Sequence, residues 1–196
     1  MTCQPSLLRF VFLLPRLSVK GDFNLKDLPG SGERVDILCR ALSACFGWGP
    51  STWNKDNLEL AAVIDDKVTL TFSNPTCGVH DGETAWAKEI RRALQGNPPS
   101  FIQRREIGLE TLIEEMISSC NSQTWALDEN GTVFDDIRAL IPAQENYIII
   151  GDHKGYDKKA KRIFAKHSIY RISLGEISYL GSHCVAAMIS MFERMK

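Results

Sequence analysis

The sequence has no apolar run long enough to cross a membrane. Such a span needs roughly 18 consecutive apolar residues, and the longest candidate, LLRFVFLLPRL near the start, is interrupted by Arg9 and Arg16. No small-residue cleavage site follows it, as a secretory signal would require. We therefore expect a buried strand over Leu7–Leu14, no membrane partner and a cytoplasmic location.

Paired cysteine motifs are also lacking. Six cysteines are present, but none has C-x-x-C spacing and no histidine lies near one in a zinc-binding pattern. With 196 residues, 44% of them apolar, the chain can build a core without a disulfide framework. We expect free thiols in a reducing compartment and no metal site.

An excess of positive charge is the third feature that is missing. The chain has 23 basic and 24 acidic residues, a net charge of −1, which argues against a globally basic nucleic-acid binder. A local basic segment is nevertheless present, with Asp152 and Asp157 as the only acids near it. Its cations are Lys154, Lys158, Lys159, Lys161, Arg162, Lys166 and Arg171.

Two nucleotide-binding motifs are absent, namely G-x-G-x-x-G and the Walker lysine motif, which disfavours a dinucleotide or a nucleoside triphosphate. The C-terminal part instead shows one pattern three times: a short apolar strand, a polar or glycine-rich loop and a helical stretch. The strands are TWAL, YIII and IYRIS, and their loops are Asp128–Gly131, Gly151–Gly155 and Leu174–Glu176. Parallel strands bring such loops to one sheet edge, which predicts a cofactor site there.

The rest of the chain supplies further helices and a hairpin. ERVDILCRALSACF has helical periodicity, with Ser31 as a candidate N-cap. ELAAVI and KVTLTF flank Asp65 and Asp66, which predicts a tight β-hairpin. ETAWAKEIRRALQ and LETLIEEMI predict two more helices. We expect an α/β fold, a mainly parallel sheet flanked by helices, in one domain spanning residues 1–196.

Four segments resemble one known family. FNLKDLPGSGERVDILCRAL, WALDENG, IIIGDHKGY and ISLGEISYLGSHC, within residues 23–184, are similar to the archaeal tRNA pseudouridine N1-methyltransferases and their bacterial relatives. That family belongs to the SPOUT, or α/β-knot, methyltransferases. The resemblance implies S-adenosylmethionine as methyl donor, a trefoil knot and cofactor region at about residues 123–196, and a homodimer that packs knot against knot.

One segment departs from the family pattern. Archaeal members carry a His-Gly-Ile-Arg-like run after the first helix, whereas Gly49–Asp56 here reads GPSTWNKD. We expect this region to face RNA, of the tRNA class, and we expect no DNA partner. Two alternatives stay open: a SPOUT methyltransferase for another RNA or nucleoside, and a non-catalytic dimeric module that binds cofactor or RNA.

The candidate cofactor residues lie on the three C-terminal loops and the helix that follows them. Backbone groups of the loops would bind the adenine, and apolar side chains would enclose it. These candidates are Leu127, Gly151, Leu174, Gly175 and Cys184. The alternative is that they are ordinary core and turn residues. Asp152 and His153 are either a base or proton relay, or an aspartate that bonds loop amides beside a helix-capping histidine.

The candidate substrate residues lie in two places. Arg34 and Lys55, with the Gly30–Gly32 loop, would face the mouth of the site, where loop amides and an arginine suit a phosphate. On DKKAKRIFAKH, one stripe of a helix would carry three more cations, Lys158, Arg162 and Lys166. The alternatives are a capped helix start and a solvated charged face.

Catalysis needs a group that removes the weakly acidic N1 proton of the acceptor base. Asp36 is the candidate by residue type.

The terminal helix, YLGSHCVAAMISMFERM, suggests a homodimer. One apolar stripe is enough to face a core, and it would comprise Leu180, Cys184, Met188 and Met191. Three more apolar residues widen the surface, namely Val185, Ile189 and Phe192. A symmetric pair would cover this surface most simply.

Overall fold

The apolar run near the start of the chain forms a strand in the interior of the sheet. The computed structural model describes residues 7–31, 33–47, 54–75, 82–137 and 145–194. Strand β1 spans Leu7–Leu14, as predicted. Its buried side chains alternate between two cores: Phe10 and Phe12 lie on one face of the sheet, and Val11 and Leu13 on the other. Such two-sided burial is typical of a strand in a parallel sheet with helices on both faces.

Within the described residues, β1 belongs to a seven-stranded sheet of order β4-β3-β2-β1-β6-β5-β7. Its other strands are β2 (Leu58–Ile64), β3 (Val68–Phe72), β4 (Ile102–Arg105), β5 (Ser122–Val133), β6 (Glu145–Ile150) and β7 (Tyr170–Ser173). Strands β2, β1, β6, β5 and β7 are parallel, and β3 and β4 extend the sheet antiparallel. The prediction that TWAL, YIII and IYRIS run parallel is confirmed.

Helices cover both faces of the sheet. They are α1 (Leu28–Ser31), α2 (Val35–Gly47), α3 (Glu83–Leu94), α4 (Leu109–Ser118), α5 (Phe134–Ile137), α6 (Lys158–Lys166) and α7 (Gly181–Glu193). One core contains residues of α2, α3 and α7, and the other contains residues of α4 and α6. None of the described helices has the length and apolarity that a membrane crossing requires.

The predicted hairpin is confirmed, with both turn residues in the left-handed region. Asp65 has φ 49° and Asp66 has φ 50°, a geometry that matches the twist of two-residue hairpins. Asp66 also accepts a hydrogen bond from the Leu109 amide at 2.7 Å, so it satisfies a donor at the start of α4.

The segment after TWAL differs from the prediction in its loop, although the predicted helical stretch follows it as α5. Strand β5 continues to Val133, and both Leu127 and Thr132 align with Ile172 of β7. The four residues between them bulge out of the ladder. A side chain at Gly131 would place its Cβ 2.7 Å from the Ile172 backbone, so this close approach requires glycine.

Ser31 is not the N-cap of the first long helix. It ends the short α1, where its hydroxyl lies 2.5 Å from the Asp27 carbonyl oxygen. Helix α2 begins at Val35, after Glu33 and Arg34, which have φ 44° and 70°. Two consecutive non-glycine residues in the left-handed region store strain and often mark functional positions.

The terminal helix does not present the spare apolar surface that we expected. Val185, Ile189 and Phe192 are all buried in the core of the same chain, where Phe192 contacts the ring of Phe134. Leu180 is instead 58% exposed. These three side chains are buried because α7 returns across the sheet and packs against α2. The helix therefore gives no support to a dimer.

Four cysteines lie within the described residues. Cys39, Cys45, Cys120 and Cys184 are free thiols.

Candidate cofactor-binding site

A cleft of about 610 Å³ opens at the carboxyl ends of β5, β6 and β7. This volume lies within the range of sites for small organic ligands. The bulge of β5, the loop after β6 and the loop after β7 form three of its walls. The fourth side comes from residues at the start of α2, Arg34, Ile37 and Arg40.

All five predicted cofactor residues line this cleft. Leu127 precedes the bulge of β5, Gly151 follows β6, and Leu174 and Gly175 follow β7. Cys184 lies in the first turn of α7, where burial raises the pKa of its thiol to about 11. The thiol is therefore neutral near physiological pH and acts as a small apolar wall rather than as a nucleophile.

The backbone of the loop after β6 requires glycine at position 151. A Cβ at this position would lie 2.8 Å from the carbonyl carbon of Gly155, inside any normal contact distance. The Gly155 amide donates to the Asp152 carbonyl at 2.9 Å, which closes the turn. We expected Gly151 only as part of a loop whose backbone binds the adenine. The geometry instead shows that glycine lets the loop fold back on itself and open the cleft.

Tyr156 is a residue of the site that the sequence did not reveal. Its hydroxyl lies 2.8 Å from the carbonyl oxygens of both Leu127 and Ile149, so it ties β5, just before its bulge, to the end of β6. Burial raises the pKa of this hydroxyl well above its usual value, so the group stays protonated and can donate. A tyrosine directly after a glycine turn was the available signal.

Asp152 matches the second of its two predicted roles, an aspartate that bonds loop amides. Its carboxylate accepts from the Lys154 amide at 2.7 Å and pairs with the guanidinium of Arg16. His153 is exposed at the cleft. It does not cap the next helix, because the Asp157 side chain does so by accepting from the Ala160 amide at 2.7 Å.

Asp36 holds two arginines at the mouth of the cleft. Its buried carboxylate accepts from Arg34 Nε at 2.9 Å and Nη2 at 3.0 Å, and it also accepts from Arg40. The bond to Asp36 raises the pKa of Arg34. Both arginines line the cleft, whereas Asp36 does not.

Arg40 was missed, although it lies four residues after Asp36 on the same helix, the spacing at which helical side chains meet.

Lys55 lies at the opposite edge of the sheet from the cleft, contrary to our expectation. It begins the short 3-10 helix Lys55–Asn57 that leads into β2, whose first residue, Leu58, aligns with Leu8 at the start of β1. The cleft opens at the other end of these parallel strands. The residues of the Gly49–Asp56 departure before Asn54 lie outside the described part of the chain.

The predicted amide site of the Gly30–Gly32 loop is wrong for two of its residues. The Gly30 amide donates to the Asp27 carboxylate at 3.0 Å, and the Ser31 amide to the Asp27 carbonyl at 3.1 Å. These donors are already used within the chain. Gly32 lies outside the described residues.

The basic stripe of α6 is only partly as predicted. Lys158 and Arg162 are exposed outside the cleft lining, and their substrate role stays a prediction. Lys166 instead pairs with Glu110, at 2.5 Å. Glu110 and Glu114 with His167 bring potential metal ligands within 4.8 Å of one another, but this group does not line the cleft.

Comparison with solved structures defines the class of the fold. The crystal structure of Archaeoglobus fulgidus Nep1 bound to S-adenosylhomocysteine has a TM-score of 0.71 with this chain at 14% sequence identity. The match covers 98% of this chain and 99% of that one. The protein therefore has the fold of the SPOUT, or α/β-knot, methyltransferases, and the predicted fold class is confirmed.

The sequence comparisons identify the family. Residues 7–196 match the model of the family described as "Putative SAM-dependent RNA methyltransferase", and the chain belongs to this family. It is 28% identical over 198 residues to the tRNA (pseudouridine(54)-N(1))-methyltransferase of Methanococcoides burtonii, across 94% of this chain and 95% of that protein. The protein of the same name from Methanopyrus kandleri is 30% identical over 173 residues, 84% of this chain and 81% of that protein. The resemblance inferred from the four segments is confirmed.

The Gly151 turn gives a first prediction. Gly151→Ala should weaken the binding of S-adenosylhomocysteine at least about tenfold, a loss of about 1.4 kcal/mol, because the new Cβ would push the Gly155 backbone out of place. Isothermal titration calorimetry measures this loss.

Gly96→Ala is the matched control. Gly96 has φ 85° and open space around it, so alanine there adds backbone strain away from the cleft and should leave affinity unchanged. Equal affinities for wild type and Gly151→Ala would show that the Gly151 turn does not shape the ligand site.

Proposed function

We propose that the protein transfers the methyl group of S-adenosylmethionine to N1 of a pseudouridine in tRNA. The observation that carries this proposal is the shared cleft: the five predicted cofactor residues and two anchored arginines open onto the same space. The family and the names of its archaeal relatives point to the same chemistry. We treat residues 1–196 as one catalytic unit.

The cleft suits the cofactor in size and in composition. Leu127, Leu174 and Cys184 supply apolar walls for an adenine ring. The carboxyl ends of the three strands supply backbone donors and acceptors of the kind that bind ligands in open α/β sheets. Tyr156 links β5 and β6 at this edge of the sheet. When bound, S-adenosylmethionine supplies a methyl group on a positively charged sulfonium.

The residues of the chain must align the acceptor nitrogen with that methyl group, exclude water and accept one proton. Arg34 and Arg40 are suited to bind a phosphate of the substrate, because a guanidinium forms strong, charge-assisted bonds with phosphate oxygens. Asp36 is occupied by both of them. The geometry therefore favours Asp36 as the residue that positions the arginines, and its role as the base stays a prediction.

A homodimer is part of the proposal, now on other grounds than the terminal helix. Ile177, Tyr179 and Leu180 line the cleft and are 72%, 48% and 58% exposed. Three apolar side chains in one loop form a patch that a second copy can cover. Light scattering at micromolar concentration should give twice the 22.0 kDa chain mass; a monomer mass would contradict it.

A cytoplasmic location belongs to the proposal too, since the four described cysteines are free, as in a reducing compartment.

Methyl transfer from labelled cofactor tests the proposed reaction. The substrates are two tRNA transcripts that differ only in whether the target base is pseudouridine or uridine. Label should enter the pseudouridine transcript, and mass spectrometry of its nucleosides should identify N1-methylpseudouridine. Label in another nucleoside would establish a different substrate. Cofactor binding with no transfer to any RNA would establish a non-catalytic module.

The arginine pair gives a prediction that separates substrate from cofactor. Arg34→Ala and Arg40→Ala should each weaken tRNA binding by about 1–3 kcal/mol through a lost charge-assisted contact. Affinity for S-adenosylhomocysteine should stay within a few-fold. Filter binding and calorimetry measure the two affinities.

Arg104→Ala is the control for this pair, because Arg104 lies on β4, outside the cleft lining, and pairs with Glu106. If both cleft variants bind and methylate tRNA like wild type, the Arg34–Asp36–Arg40 cluster only stabilises the start of α2.

A further inference from the structure

The cations of α6 fall into two groups with different surroundings. Lys159 pairs with Asp66 of the hairpin, and Lys166 lies 2.5 Å from Glu110 and 3.9 Å from Glu114. These two lysines occupy the flank of the helix that faces α4. Their charges are balanced by acids of the same chain.

The second group has no such balance. Lys158, Lys161 and Arg162 are exposed, and none of them forms an ion pair with any acid in the described part of the chain. They lie three and four residues apart and so share one face of the helix. That face is opposite the side buried in the core, which consists of Ala160, Ile163 and Phe164.

This face continues to the cleft. Lys161 lines the cleft, and so does Lys154, an exposed residue of the Gly151–Gly155 turn. Four cations without an acid partner among the described residues therefore extend from the cleft mouth along the outer side of the helix. We name this surface the α6 cationic face, comprising Lys154, Lys158, Lys161 and Arg162.

The arrangement gives the folded chain little internal benefit. Lys158 lies in the first turn of α6, where the capping Asp157 is the adjacent acid, and a positive charge in that turn opposes the helix dipole. Like charges at helical spacing also repel one another by a few tenths of a kcal/mol per pair. A polyanion bound along this face would remove both penalties.

We propose that the α6 cationic face binds the phosphate backbone of the RNA substrate and leads the strand to the cleft, on the opposite side from Arg34 and Arg40. This inference rests on the proposed function in one respect, that the substrate is an RNA. It adds a second contact surface. Lys159 and Lys166, on the same helix, should not contribute to RNA binding, because acids of the same chain already balance their charges.

The paired and unpaired cations supply a matched test in the full-length protein. The variants are Lys158→Ala/Arg162→Ala and Lys159→Ala/Lys166→Ala, and the probe is a labelled tRNA transcript titrated at several salt concentrations. Log Kobs falls as log salt rises, and each lost phosphate contact makes this negative slope shallower by about 1. The slope of Lys158→Ala/Arg162→Ala should be shallower than that of wild type by about 2, whereas Lys159→Ala/Lys166→Ala should keep the wild-type slope.

Both variants should bind S-adenosylhomocysteine like wild type, which shows that they fold. The inference is overturned if the first variant keeps the wild-type slope, if the second loses as much as the first, or if wild type does not bind tRNA. Failure of the proposed function gives a different result: tRNA is bound with the predicted slope changes, but no methyl group is transferred to it.

Discussion

The close approach of the Gly151 and Gly155 backbones is the constraint on which the site depends. Because there is no side chain at Gly151, the loop after β6 can fold back within contact distance of itself. Tyr156 then reaches the carbonyl groups of Leu127 and Ile149, and Asp157 caps α6. One turn thus positions the cleft wall, the link between β5 and β6, and the start of the helix that carries the cationic face.

The opposite wall of the cleft depends on two further contacts. Gly181, at the start of α7, lies so close to Phe12 of β1 that an added Cβ would be 2.7 Å from its ring. The helix can therefore return across the sheet and pack on α2. Asp36 then fixes Arg34 and Arg40 at the edge of that helix. The cofactor loops and the arginines come from distant parts of the sequence, and this packing brings them to one cleft.

Local signals made part of this structure predictable. The repeated pattern of apolar strand and polar or glycine-rich loop predicted that β5, β6 and β7 run parallel, and it predicted the loop residues of the site, such as Leu127 and Gly151. Non-local contacts were not accessible in the same way. From the sequence, Lys166 belongs to an exposed basic stripe, but in the fold α4 brings Glu110 beside it. Lys55 was expected at the cleft, but the parallel pairing of β2 with β1 places it at the opposite edge of the sheet.

The central claim is that the three strand ends form the cofactor site. A crystal structure of the protein with S-adenosylhomocysteine tests it most directly. The account predicts that the adenine lies between Leu127, Leu174 and Cys184, against the Gly151 turn, with the cofactor sulfur directed toward the side of Arg34. A ligand bound elsewhere on the molecule, or an adenine that contacts none of the three loops, would contradict it.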